Sequence, residues 1–279
     1  MACCNMEGPE AQLLAVHHVP ESSGDARSRE LMHTVRRLGY SGLRCQWLMV
    51  PDHYQIVQID APDVPEAELV DAARWRIRDL VRIPIKDAVI DGFLVPDERV
   101  SGAPGKLYMV ASRRADAERV TARISAAGLR PDMLGIPELA LRNLAALHPE
   151  QQGGLAMLAV SAGDTLLTIS RGETLFLCRW LDAGMDELSG GGLEKMALEV
   201  QRSLDFYEGH LSGGPASRVI VVPRGVNDVA SLADRLNEQL ALPVEALNLN
   251  SLFDLPQPLS AEQQTYCALA VGAALEPLS

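Results

Sequence analysis

The sequence contains no apolar run long enough to cross a bilayer. A transmembrane helix needs ~20 consecutive, mostly apolar residues, and no uninterrupted apolar stretch of the 279 residues approaches that length. The opening segment, MACCNMEGPE, has neither the basic nor the apolar part of a signal peptide. We therefore expect a soluble, cytoplasmic protein, which would reach a membrane only by recruitment through a partner.

Positive charge is scarce as well. The chain has 25 Lys and Arg against 37 Asp and Glu, and its net charge is −12. A surface with this balance repels the phosphates of nucleic acids and the headgroups of anionic lipids. We expect no nucleic-acid partner, and only a local basic patch could bind an anionic surface.

Cysteine motifs and metal-binding patterns are also missing. The cysteines are odd in number and include no Cys-x-x-Cys pair, so we expect buried, reduced thiols. His17 and His18 are adjacent in a predicted strand, where side chains point to opposite faces, and the other histidines show no metal-ligand spacing. The sequence thus predicts no metal site. The cysteines are Cys3, Cys4, Cys45, Cys178 and Cys267.

The second half of the chain has the clearer pattern of secondary structure. Pro149–Gly154 is rich in turn-forming residues and indicates a boundary between two halves. Three strands joined by tight turns then predict a β-meander, and a capping box at Ser260 opens the final helix, which runs through Ala274. The predicted elements between these points are strands Leu155–Val160, Thr165–Ser170 and Thr174–Trp180, helix Leu193–His210, strand Arg218–Val222, helix Val226–Leu240 and strand Pro243–Leu247.

This order of elements is that of an RNase H-like half-domain. The first half shows a related but less regular alternation, which includes a strand at Leu13–Val19, a helix from Pro65 to about Val81 and a strand at Ala88–Val95. Two such halves facing a cleft form the actin, Hsp70 and sugar-kinase architecture. The sequence therefore predicts an α/β protein built from two RNase H-like domains.

Four stretches, in the correct order, resemble the PilM family of type IV pilus assembly proteins. They are Ala73–Val95, Leu198–Tyr207, Val219–Asn248 and Tyr266–Ala274, and from the first to the last they span about three quarters of the chain. The form Arg-Trp-Arg-Ile-Arg-Asp-Leu at 74–80 is most similar to the MshI-type proteins of the MSHA pilus. The resemblance implies two actin-like domains around a cleft, with an extra subdomain inserted in the first.

Domain bounds follow from this resemblance. We expect a first actin-like domain at 1–150 with its inserted subdomain at about 45–110, a second domain at 151–258, and a C-terminal helix at 259–279 that packs back on the first domain. No Asp-x-Gly turn precedes Leu13, so we also expect the first domain to lack its N-terminal strands.

The resemblance implies two phosphate-binding turns, each with an Asp and a Gly that approach Mg²⁺ and phosphate. The first is not visible. In the second, the Asp-Ile-Gly of the family falls on Ala159, Val160 and Ser161, and a Gly-Gly pair falls on Arg224 and Gly225. The residues Ser161, Ala162, Gly163, Asp164 and Thr165 are therefore either a vestigial nucleotide turn or a polar β-turn between two core strands. ATP with Mg²⁺ is a disfavoured cofactor, and we expect no ATP turnover.

A basic cluster stands out in this acidic chain. Arg74 and Arg78 share one face of the predicted helix that begins at Pro65, Arg82 directly follows this helix, and Arg76 and Lys86 lie nearby in sequence. The cluster is either the solvated side of a surface helix or a docking surface for a partner segment or for anionic headgroups. We predict that Arg74, Arg78 and Arg82 bind a partner.

Functions of different classes remain open at this point. The first is a scaffold or adaptor of a type IV pilus platform, which binds the cytoplasmic segment of a single-span PilN-like (MshJ-type) membrane protein and has no enzymatic activity. The second is an ATP-binding actin-like switch. The third is a cytoplasmic module like that of the general secretion pathway L proteins, although those continue into a membrane span.

Overall fold

The computed structural model describes residues 1–5, 12–18, 25–96, 105–211 and 214–275. The chain divides into two compact units. The large unit comprises Met1–His18 and Pro137–Pro277, and the small unit comprises Val19–Ile136 with the last two residues. The bounds of the units differ from those of the predicted domains, because the helix after Ile136 and the first 18 residues belong to the large unit.

The large unit is built on a five-stranded sheet in the order β10-β9-β8-β11-β12. Its first three strands are antiparallel, whereas β11 is parallel to both β8 and β12. Tight turns join the antiparallel strands, and helical crossovers return the chain for the parallel ones. This order confirms the predicted RNase H-like arrangement. The elements are β1 (Ala2–Asn5), β2 (Gln12–Val16), α4 (Pro137–Ala146), β8 (Leu155–Val160), β9 (Thr165–Arg171), β10 (Thr174–Leu181), α5 (Gly192–Phe206), β11 (Arg218–Pro223), α6 (Val229–Asn237), β12 (Val244–Ala246) and α7 (Ala261–Ala274).

Helices α4 and α7 cover one part of the core of the large unit. Leu141 and Leu144 of α4 and Val271 of α7 are buried in one cluster with Met157 of β8 and Ile220 of β11. Every residue of β8 is buried, as expected for a central strand. Helix α5 has one apolar face, whose members are all buried: Leu193, Met196, Ala197, Val200, Leu204 and, just after the helix, Tyr207.

The N-terminal residues include a strand that the sequence did not predict. Strand β1 pairs antiparallel with β2, which corresponds to the predicted strand at Leu13–Val19. Ala2–Asn5 gave no signal because it is short and lacks alternating polarity. Within the described ranges, no helix is long and apolar enough to span a membrane.

The small unit contains two further sheets. Strands β4, β6 and β5 form an antiparallel sheet in that order, and β3 pairs parallel with β7. One face of the three-stranded sheet is covered by the segment that leads to β5, whose Ile77 and Ile85 pack with Met109 of β6. The elements are α1 (Asp25–Arg37), β3 (Arg44–Leu48), β4 (Tyr54–Asp60), α2 (Leu69–Ala73), β5 (Ala88–Val95), β6 (Lys106–Arg113), α3 (Arg114–Ala126) and β7 (Arg130–Gly135).

The predicted helix from Pro65 to Val81 is wrong in its length. A short 3₁₀ turn and α2 occupy 66–73, and the chain then continues in turns with i→i+3 and i→i+4 hydrogen bonds. Arg74, Arg78 and Arg82 are spaced four residues apart, and like charges at this spacing destabilise a regular α-helix. This repulsion is one physical reason for the early end of α2.

Helices α4 and α7 are in close contact at Gly272. A Cβ atom added there would lie 2.2 Å from the carbonyl oxygen of Ala140, which is a backbone atom that cannot move aside. The side-chain amide of Asn143 also donates a buried hydrogen bond of 2.9 Å to the Gly272 carbonyl. Glycine is therefore required here by packing, although alanine is the better helix former.

We predict that Gly272→Ala lowers the free energy of unfolding by about 1–3 kcal/mol, because the added methyl forces α7 away from α4. Urea denaturation measures the change. The matched control is Gly209→Ala, where an added Cβ meets no atom within 4 Å. Equal stabilities of the two variants would contradict the predicted close approach.

Candidate functional site

The candidate site lies where β8 and β11 end. The two strands are parallel neighbours, and Val160 is paired with Pro223 at their carboxyl ends. The turn at 161–164 follows β8, and Arg224 and Gly225 follow β11. In open α/β sheets, ligands bind at the carboxyl ends of parallel strands. The structure thus brings together the two turns that the sequence singled out.

The turn after β8 is closed by its own hydrogen bonds. The Ser161 amide donates to the Asp164 carbonyl at 2.9 Å, and the Asp164 amide donates to Ser161 Oγ at 3.2 Å. Ser161 Oγ also donates to the Asp164 carboxylate at 2.6 Å. Ala162 and Gly163 form the exposed tip. The residues therefore make a tight polar β-turn in which the carboxylate is part of the turn.

The loop at 183–187 supports this turn from behind. The Met185 amide donates to the Ser161 carbonyl and the Asp186 amide to the Ala162 carbonyl, each at 2.9 Å. Gly184 permits the contact, because a Cβ there would lie 2.3 Å from the Ala162 oxygen. Thr165 is fully buried, and its hydroxyl donates to the Ala183 carbonyl at 2.7 Å. Thr165 thus has a structural position and does not face a ligand.

Arg224 joins the two turns. Its guanidinium forms an ion pair with the Asp164 carboxylate and lies over the Trp180 ring, 4.9 Å from the ring centroid. Its backbone amide donates to the Val160 carbonyl at 2.9 Å, which fixes the side chain beside the end of β8. Only 19% of the Arg224 side chain is exposed. Ion pairing and the cation–π contact both hold the positive charge in this place.

A buried carboxylate orients the Trp180 ring. Trp180 Nε1 donates to Glu138 Oε1 at 3.0 Å, and Glu138 is fully buried in the first turn of α4. The positive end of a helix dipole favours an anion at this position. Sequence reasoning missed both residues. The only available signal was a carboxylate in the largely apolar stretch Pro137–Ala146, which indicates a paired buried charge.

Gly225 lies against the final helix. It has φ of +77°, in the left-handed region, and its amide donates to the Thr265 carbonyl at 3.0 Å. The ring of the neighbouring Tyr266 stacks on the His18 ring, with 4.2 Å between the ring centroids. His18 Nδ1 in turn lies 2.9 Å from Glu262 Oε1. Gly225 is thus held by backbone and aromatic contacts within the large unit.

The residues of this site do not fit a Mg²⁺–triphosphate group. Ala159, at the position of the metal-side carboxylate of the PilM resemblance, is fully buried and apolar. The one carboxylate of the turn, Asp164, repels phosphate and is paired with Arg224. In the part of the chain that the structure describes, no cluster of three or more His, Cys, Asp or Glu could hold a metal ion. We therefore treat the site as a bridge between two turns.

The bridge predicts energetic coupling between Arg224 and Asp164. Each single change to Ala should lower the free energy of unfolding, and the double variant should lose about 0.5–1 kcal/mol less than the sum, since the pair is partly exposed. Chemical denaturation of the four proteins measures this. The exposed Arg202–Glu199 pair of α5, with an N···O distance of 2.7 Å, serves as the control cycle and should couple less strongly. Additive losses at the bridge would refute the coupling.

The three arginines that were predicted to bind a partner differ in how far they are exposed. Arg74 is half-buried, and its Nε atom is enclosed. The Arg78 side chain is exposed and donates to Asp79 Oδ1 at 3.2 Å. Arg82 is also exposed, and its backbone amide donates to Gln55 Oε1 at 2.6 Å. Arg78 and Arg82 are therefore open to a partner, whereas Arg74 is partly committed to the fold.

The five cysteines form no disulfide. Cys267 is buried, and the other four are half-buried, so the expectation of fully buried thiols holds only for Cys267. Burial raises the pKa of the Cys4 thiol to about 12, with a further contribution from Cys3. Burial, followed by the charge of Asp132, raises the pKa of Cys45 to about 11. These thiols are poor nucleophiles at neutral pH, because only the thiolate reacts.

We predict that iodoacetamide alkylates Cys45 at pH 8 roughly 100-fold more slowly in the folded than in the urea-unfolded protein, because a pKa of about 11 leaves little thiolate. Mass spectrometry of the labelled peptides gives the rates. The rate should rise as the pH approaches the raised pKa. Equal rates in the folded and unfolded states would show that Cys45 is not protected.

Comparison with solved structures places the chain in a known fold. A chain of the PilM–PilN type IV pilus biogenesis complex superposes with a TM-score of 0.78 at 20% identity, over 99% of this chain and 95% of that one. The cytoplasmic domain of EpsL, from the type II secretion system of Vibrio cholerae, gives 0.49 at 12% identity over 96% and 86%. A Bacteroides thetaiotaomicron protein of unknown function with an actin-like ATPase fold gives 0.48 at 9% identity over 88% and 84%.

These likenesses establish the fold alone. The chain has the α/β actin-like ATPase fold, as the sequence predicted, and it matches PilM in structure along nearly its whole length. The matches with scores of 0.49 and 0.48 carry no argument about function. No family model matches the chain, and no curated protein matches it in sequence.

Proposed function

We propose that this protein is a scaffold or adaptor of a type IV pilus assembly platform of the MSHA type. It binds the cytoplasmic segment of a single-span, PilN-like (MshJ-type) protein and thereby lies at the cytoplasmic side of the inner membrane. The observation that supports the proposal most directly is the structural likeness, over 99% of the chain, to a protein solved as a PilM–PilN complex.

The bridge between Arg224 and Asp164 favours an adaptor over an ATP-dependent switch. A switch that uses nucleotide needs phosphate to make contacts that differ between two states. Here the guanidinium of Arg224 already neutralises the turn and joins it to the end of β11. An adaptor needs an intact fold and a binding surface, and it needs no catalytic residue. We therefore propose that the protein is not an enzyme.

An ATP-binding switch is the second candidate function, and the exposed tip of the turn at 161–164 is the feature that supports it. Ala162 and Gly163 are exposed there, and in the switch their backbone amides would form a weak anion nest. An anion bound in such a nest would compete with the adjacent Asp164 carboxylate for the Arg224 guanidinium. The two candidates thus differ in whether added nucleotide changes partner affinity.

The adaptor proposal predicts saturable binding of a peptide that copies the cytoplasmic segment of the membrane protein encoded beside this chain. Isothermal titration with the full chain measures the affinity, and a scrambled peptide is the control. We expect the affinity to be the same with and without Mg-ATP. A nucleotide-dependent affinity would support the switch, and no saturable binding in either condition would overturn both.

A further inference from the structure

The positive charge of this acidic protein is concentrated in the small unit. Residues 19–136 contain 17 Lys and Arg and 17 Asp and Glu, whereas the rest of the chain contains 8 and 20. The large unit therefore carries the whole net charge of −12. Within the small unit, residues 74–86 hold five Lys and Arg and a single acidic residue, Asp79. We refer to residues 74–86 as the basic segment.

The basic segment has an inward and an outward face. Ile77 and Val81 pack into the core of the small unit and are almost completely buried. Trp75 is 69% exposed and Leu80 is 54% exposed. Because i→i+3 and i→i+4 hydrogen bonds carry the chain through helical turns here, exposed and buried positions alternate around the segment. Two large apolar side chains thus protrude into solvent among cations.

Arginines accompany these apolar side chains on the outward face. Arg76, Arg78 and Arg82 are exposed, and so is Lys86. Long basic side chains place their charge at a distance from the backbone while their aliphatic stems cover apolar surface. The outward face therefore combines the indole ring of Trp75, the aliphatic side chain of Leu80 and four positively charged side chains.

The acidic side chains around the basic segment only partly neutralise it. Asp79 accepts a hydrogen bond of 3.2 Å from Arg78. Asp60 is bonded to Lys106 at 2.6 Å, and the charges of Lys106 and, more weakly, Arg76 lower its pKa. Asp71 and Asp87 flank the segment and are exposed. An excess of positive charge remains.

This combination fits a lipid surface better than a peptide. Peptides are recognised in grooves or along open strand edges, whereas the basic segment is a series of turns with protruding side chains. Segments that lie on a membrane surface typically contain Trp, which sits at the level of the headgroups. They also contain Lys and Arg, which attract anionic lipids. Trp75 and Leu80 are exposed, and transfer of these side chains from water into such an apolar boundary lowers the free energy.

We propose that the basic segment docks directly onto anionic phospholipid headgroups, with Trp75 and Leu80 inserted at the interface and Arg78 and Arg82 paired with lipid phosphates. The inference goes beyond the proposed function, which supplies membrane contact only through the partner protein. Two weak attachments to the same bilayer reinforce each other, because the first raises the effective concentration of the second.

Vesicle binding tests the proposal with the full-length chain alone, and so does not depend on the partner. The protein is sedimented with phosphatidylcholine vesicles that contain or lack phosphatidylglycerol, at low salt. We expect binding only to the anionic vesicles and a blue shift of tryptophan emission on binding. Arg78→Glu/Arg82→Glu should weaken binding by roughly tenfold or more, and Trp75→Phe should abolish most of the blue shift.

Matched variants separate a local contact from general charge effects. Arg36→Glu/Arg37→Glu on α1 makes the same change in net charge at two exposed positions and should leave vesicle binding within about twofold of the wild type. Thermal unfolding checks that each variant is folded. Absence of wild-type binding to anionic vesicles, or an equal loss in both double variants, would overturn the proposal.

Discussion

The parallel pairing of β8 with β11 is the constraint on which the candidate site depends. The register pairs Val160 with Pro223, so the segments that follow β8 and β11 leave the sheet side by side. The bond from the Arg224 amide to the Val160 carbonyl continues this pairing by one residue. A long side chain at 224 then has the Asp164 carboxylate within reach, although 60 residues separate them in sequence. The sheet, rather than any local motif, creates the bridge.

The bridge is also anchored from the interior. Glu138 is a fully buried carboxylate, and burial of a charge is costly unless partners compensate it. Trp180 provides a hydrogen bond to Glu138 and presents the face of its ring to Arg224. The orientation of the indole is therefore determined by α4, and the indole in turn limits where the guanidinium can lie. A cation–π contact of this kind contributes about 0.5–2 kcal/mol.

The sequence predicted the elements whose signals are local. The bounds of β5 and β8 agree to the residue, because their apolar runs end at Pro and at polar turns. The capping box at Ser260 is confirmed with Gln263 as its partner. Helix α6 begins three residues later than predicted, since Asp228 adopts a left-handed φ of +64°.

The features that sequence reasoning missed depend on contacts between distant residues. The Glu138–Trp180 bond joins α4 to β10 across 42 residues, and no spacing rule relates the two. The failure at α2 has a different cause. Apolar periodicity continues through Ile77 and Val81, but repulsion between arginines at i, i+4 opposes a regular helix there. Periodicity indicates which side faces the core, and it does not show whether the backbone is α-helical throughout.

The departures from a nucleotide-binding pattern are interdependent in the structure. A carboxylate at position 159 would lie in the apolar core around β8, where burial of a charge is costly, whereas Ala159 packs there as an apolar residue. Ser161 supplies a hydroxyl that glycine lacks, and this hydroxyl orients Asp164 toward Arg224. Arg224 then provides the positive charge that a metal ion would otherwise bring to the turn. Side chains of the protein thus make the bonds that a ligand would make, and the turn needs no ligand to keep its shape. This self-contained turn is compatible with the proposed adaptor, which needs a stable fold and a binding surface and no bound nucleotide.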